Sequence, residues 1–297
     1  MELSWLMRLR IGAAMAVGTI LIGILGWPLA APPEPFAVVS LFAGTVSSGG
    51  AITLAILAFL AGFIAYFLSW PYGREIGILA APFGLAIWAA RSGSIAGLMQ
   101  QNATLAQRQA LFAALRWEPV FWLGIVTAGF AGVVVGQKIR RSIQADRPAE
   151  KSNSKQSIYL SAIIALIATV FSILIAQFCI RIFAQDVRSG SVVSQPAIGQ
   201  VIFAVIVSFG VAAFIVKQFL DASYIWPTIS CALVTSFAVS IYVKRDVLQH
   251  LTQHWPAVFF SNAVVCILPV QMVAFGTLGS IAGYWLAVRY NYWRKHT

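Results

Sequence analysis

From Ile158 to Ile180 the chain carries no charged residue, and seven other runs are nearly as apolar. A hydrocarbon core about 30 Å thick takes roughly 20 such residues as a helix, so each run is a membrane-crossing candidate. The eight are Ile11–Ala30, Gly50–Trp70, Tyr72–Ala90, Pro119–Gln137, Ile158–Phe183, Ala197–Val216, Tyr224–Val243 and Ala257–Val288. Barrel strands would be runs of about ten residues with alternating polarity. These runs are longer and uniformly apolar, so the expected class is an all-α, polytopic transmembrane bundle. Composition excludes a water-soluble globule: 60% of the 297 residues are hydrophobic and 10% charged, against about 25% charged in a soluble domain.

Arg8 and Arg10 before the first run also resemble the start of a secretory signal, with Leu29-Ala30-Ala31 as a weak processing site. A signal core spans about 7–15 residues. This run is longer and ends in Trp27-Pro28, which favours a retained helix.

The net charge of +11 would raise the question of nucleic acid in a soluble protein. Here the cations lie between apolar runs and report orientation instead. With a cytoplasmic N-terminus, thirteen of the twenty Lys and Arg fall inside, six of them in the stretch 138–157. Both termini and this basic linker are therefore expected in the cytoplasm, in a multi-pass cell-membrane protein of bacterial inner-membrane type. The triplet Asn102-Ala103-Thr104, formally a glycosylation acceptor, lies on the expected outer side.

The two sides of the linker resemble each other. Gly44-Thr45-Val46-Ser47-Ser48-Gly49-Gly50-Ala51-Ile52 aligns without a gap to Gly190-Ser191-Val192-Val193-Ser194-Gln195-Pro196-Ala197-Ile198. Trp70-Pro71 matches Trp226-Pro227, and Trp117-Glu118-Pro119 stands beside Trp255-Pro256. This order predicts a parallel duplication of four plus four spans: 1–137, a linker 138–157, and 158–297.

Gly132-x-x-x-Gly136 and Gly279-x-x-x-Gly283 permit close helix approach and are expected to form the seam between the halves. Pro82 and Pro269, inside their runs, are expected to kink them. Thr104–Arg116 and Val247–Gln253 read as short surface helices before the last span of each half.

Few residues carry chemistry. Arg74 and Glu75 are the intramembrane charge candidates, although both are near enough to a span end to reach the interface. Asp221 reads as a helix cap or ion-pair partner. Asp246, His250 and His254 have the one metal-like spacing, i, i+4 and i+8 on one helix face. No HExxH glutamate accompanies them. Cys179, Cys231 and Cys266 lie in apolar runs without CxxC spacing, which argues against disulfide and zinc frameworks. No catalytic constellation and no cofactor motif is legible, so an enzyme is not expected. Gln177, Gln200, Asn262 and Gln271 are uncharged amides within spans, where each needs a partner: a neighbouring helix or a solute.

Two functions fit this reading. One is a permease or channel-like protein moving a small, largely uncharged solute between the halves. The other is a non-catalytic subunit or scaffold of a membrane complex. The expected partners are the lipid bilayer and either another membrane protein or further copies of the chain, not nucleic acid.

Overall fold

The computed structural model describes residues 4–29, 31, 38–40, 46–102, 104–143, 156–184, 196–253 and 263–296. Among them there are helices and no strand. Among the described residues, six helices are long and apolar enough to cross a membrane: Trp5–Leu25, Ser48–Leu68, one within Leu105–Ser142, Ser161–Phe183, Ile198–Leu220 and Pro269–Lys295.

The first joins α1 (Trp5–Gly18) to a π-helical stretch, Thr19–Leu25, and a 3₁₀ turn, Trp27–Leu29. α2 (Ser48–Leu68) starts where the Ser47 side chain accepts the N–H of Gly50 at 3.1 Å, satisfying one of the donors that every helix start leaves unpaired. The third expected span is broken into α3 (Gly73–Ile76), a 3₁₀ stretch Gly77–Leu79, and α4 (Ala80–Arg91). Pro82 has no N–H to give the carbonyl of Ile78, and the α-helical pattern lapses over that residue.

α5 (Ile95–Gln101) and α6 (Leu105–Leu115) follow, then α7 (Glu118–Ile143) and α8 (Gln156–Phe183). α9 (Ile198–Leu220) ends at Asp221, whose φ of 48° is left-handed and whose carboxylate pairs with Lys217, as a cap and ion-pair partner should. α10 (Ile225–Ile241) has 17 residues, α11 (Arg245–Gln253) is short, and α12 is Pro269–His296.

Glycine sets the closest packing. α2 lies along α7 and α9 along α12, the two most extensive helix pairs. A Cβ on Gly132 would fall 2.0 Å from the Phe59 carbonyl oxygen, and one on Gly62 2.0 Å from that of Gly129. On α12, a Cβ on Gly279 would fall 2.3 Å from the Ile206 oxygen and one on Gly283 2.0 Å from that of Gly210. The Gly-x-x-x-Gly motifs therefore do not form the expected seam between 1–137 and 158–297. Each instead joins a later helix to an earlier one on the same side of 138–157, α7 to α2 and α12 to α9.

α1 packs on α2 and α4, and α8 on α9 and α10. Across the middle, α12 meets α4 and α7, and α10 meets α7. Trp88, Trp122, Phe209, Leu54 and Leu85 are fully buried, whereas Ile52, Leu166, Phe178 and Phe219 stand exposed. Large apolar side chains on the outside suit contact with lipid tails.

Two further expectations change. The last long helix begins at Pro269, well inside the expected run Ala257–Val288, and is preceded by a 3₁₀ turn, Ala263–Cys266. Pro269 is thus a first helical residue, where its missing N–H costs nothing, and not a kink. The stretch 138–157 is also partly helical, since α7 continues to Ile143 and α8 starts at Gln156.

Candidate functional site

α7 opens on a carboxylate. Glu118 sits in the first turn, where the helix dipole favours negative charge, yet its exposure is 0%. An ion removed from water is costly unless its oxygens are bonded. Both are: Ser40 Oγ donates to Oε2 at 2.7 Å, and the Trp122 indole, one turn on, donates to Oε1 at 3.0 Å. Ser40 is itself buried and comes from the segment 38–40, ahead of α2.

The Trp122 ring stands edge-on to Trp88 of α4, with centroids 6.3 Å apart at 90°, a favoured aromatic geometry. Trp88 meets Trp27 the same way at 6.1 Å and donates its indole N–H to the Gly23 carbonyl at 3.3 Å. Gly23 belongs to the π-helical stretch. The Arg91 guanidinium lies over the Trp27 ring at 5.7 Å.

The next residue of α4 continues the polar seam on another side. Ala89 offers its carbonyl to Gln271 Nε2 at 3.3 Å and to Ser92 Oγ at 2.7 Å. Gln271 Nε2 also reaches Ser92 Oγ at 3.3 Å, while its Oε1 accepts the N–H of Leu268 at 3.1 Å. Gln271, 3% exposed, thus caps the start of α12 and ties it to the end of α4. Ser40, Glu118, Trp122 and Trp88 lead to that junction, where residues from both sides of 138–157 meet. The arrangement ties the start of α7 to the segment 38–40 through Glu118, and the start of α12 to the end of α4 through Gln271 and Ser92.

The other sequence candidates are dispersed. Gln200 Nε2 donates to the Phe183 carbonyl at 3.0 Å, joining α9 to the end of α8. Gln177 is half-buried on α8, and Asn262 lies outside the described residues. Arg74 and Glu75 are both exposed on α3. Asp246 and His250 are exposed on α11, His254 lies outside the described residues, and no metal-binding group of His, Cys, Asp or Glu occurs among the described residues. The two short surface helices form: α6 carries a capping box between Thr104 and Gln107, and α11 packs against it.

Glu118 and Ser40 escaped the sequence reading. Glu118 stood between Trp117 and Pro119 and entered only as part of the Trp-Glu-Pro match to Trp255-Pro256. The signal was its i, i+4 spacing to Trp122, which allows a carboxylate and an indole to meet on one helix face.

No protein-family model, curated protein or solved structure matches the chain. Its described residues are helical, and the length and apolar character of six helices fit an integral membrane protein in contact with lipid.

Proposed function

We propose that the chain is a permease for a small, largely uncharged solute, not an enzyme, with the polar seam between Glu118 and Gln271 as its gate. The observation that carries this reading is Glu118: a carboxylate at 0% exposure, held by Ser40 from a segment outside the long helices. An ionisable group enclosed within a membrane bundle is costly and marks solute or proton paths.

The proposal includes eight spans in two parallel halves, with α3 and α4 together as the third span and α10 as the seventh. Neighbour relations support it. The second helix packs on the fourth in each half, the first on the second and third, and α12 against α4 mirrors α7 against α10. Gly129, Gly132 and Gly136 recur at the same spacing as Gly276, Gly279 and Gly283. A parallel repeat of this kind places a binding site at the repeat interface. Cytoplasmic termini in a cell membrane complete the reading, on the strength of the basic residues in 138–157.

The test is solute flux in proteoliposomes across a panel of small neutral and zwitterionic solutes, repeated with Glu118→Gln and Gln271→Ala. Flux above empty vesicles that both variants reduce at least tenfold is expected. No flux for any member of the panel, with the protein folded, overturns it. A non-catalytic membrane subunit is the second reading, favoured by the tight packing of Met272, Val273 and Phe275 at the start of α12. Copurification of a stoichiometric partner without flux selects it.

A further inference from the structure

The two glycine seams differ in one respect. Ile206 and Phe59 receive the same approach, from Gly279 and Gly132. Four residues after Phe59 stands Phe63, stacked on Phe59 at 6.4 Å and edge-on to Phe67 at 5.1 Å, so aromatic rings cover the α2 side. Four residues after Ile206 stands Gly210. There the surface opens into an apolar groove of about 370 Å³ between α9 and α12, walled by Gly210, Val211, Phe214, Ala282, Gly283 and Leu286.

Each wall ends in a cation. Lys217 follows Phe214 by three residues on α9, and Arg289 follows Leu286 by three on α12, so each continues its helix's groove-lining face. Arg289 is exposed and lies over the Trp293 ring at 4.6 Å. Lys217 is shared with the exposed Asp221. Tyr290 packs on Phe214 at 6.0 Å, and Trp293 is half exposed one turn on, the aromatic pattern of a headgroup-level boundary.

We propose that this groove binds an anionic phospholipid, one acyl chain lying over Gly210 and Gly283 and the headgroup phosphate at Arg289, since the Lys217 ammonium is held by Asp221 and the Tyr284 ring. Charge decides against a second copy of the chain. Two copies in one membrane related by an axis along its normal would bring Arg289, Arg294 and Lys295 of each to the same level, where like charges repel.

The experiment places the full-length protein in phosphatidylcholine vesicles carrying either spin-labelled phosphatidylglycerol or spin-labelled phosphatidylcholine and reads the motionally restricted lipid. Phosphatidylglycerol is expected to be preferred about fivefold per engaged cation. Arg289→Gln should cut that preference about fivefold while leaving chain retention in place. Gly210→Phe, which copies the other seam, should abolish the preference, leaving the retention that the rest of the lipid-facing surface gives both lipids. A Cβ there would meet only the Gly279 oxygen, at 3.5 Å, and Gly210 is itself a wall of the groove that the ring is meant to fill. Equal retention of both lipids by the native protein overturns the proposal, as does an undiminished preference in Gly210→Phe. A native dimer that Gly210→Phe converts to a monomer also overturns it, in favour of a second copy.

Discussion

The Trp122 indole donates to Glu118 Oε1 at 3.0 Å from one turn further along the same helix, and neither residue is exposed to any degree. The pair fixes the start of α7 because the carboxylate's second oxygen is taken by Ser40. Glu118→Ala takes away the acceptor of two buried hydrogen bonds, at a cost of about 1–3 kcal/mol each. Thermal unfolding in detergent should show Glu118→Ala well below the native midpoint. Glu118→Gln, which keeps an acceptor, should fall between them, and a Glu118→Ala midpoint equal to the native one would refute the buried role.

Gln271→Leu keeps the side-chain volume but strands the Leu268 N–H and removes the amide donor that Ala89 and Ser92 share, while the Ser92 hydroxyl keeps its bond to the Ala89 carbonyl. A destabilisation of about 1–3 kcal/mol is expected. Faster hydrogen exchange localised to the first turn of α12 and the last turn of α4 would identify the lost junction.

Glycines on one helix should respond in opposite ways. On α7, a Cβ on Gly124 would meet nothing within 4 Å, whereas one on Gly132 would collide with the Phe59 carbonyl. Gly124→Ala should be neutral or stabilising by up to about 1 kcal/mol through helix propensity. Gly132→Ala should lower the folded yield and the thermal midpoint, and Gly279→Ala should do the same on α12.

Thr104→Ala removes the capping box at the start of α6, where Thr104 Oγ1 accepts the Gln107 N–H at 3.3 Å and Gln107 Oε1 accepts that of Thr104 at 3.1 Å. The loss should be about 1 kcal/mol and local. Exchange at Gln107 and Arg108 should quicken while the long helices keep their protection.

The sequence reading was most accurate where hydrophobicity alone decides. The ends of α2, α8 and α9 fall within a few residues of the runs Gly50–Trp70, Ile158–Phe183 and Ala197–Val216. It failed where an apolar run is not one helix, as at Ala257–Val288: hydropathy reports what is buried, not whether the backbone is α-helical, and Pro269 reads alike as kink or first residue. The glycine spacing was legible but its partner was not, since spacing states how near a neighbour comes and not which neighbour comes. Glu118 was invisible for a similar reason. Its environment depends on Ser40, 78 residues earlier, and no local pattern connects the two. Gln271 was legible because an amide in lipid must find a partner.

The pairing of α2 with α7 also bears on how the chain is assembled. A nascent chain enters the membrane from its N-terminus, so Gly62 and the Phe59 carbonyl are delivered before their partners on α7 exist. In that interval the narrow face of α2 meets only lipid or the insertion machinery. The same delay recurs when α9 waits for α12. Each of these two helix pairs therefore closes late, on arrival of its later member, and a chain truncated before α7 or before α12 leaves a helix with its closest-packing surface unclaimed.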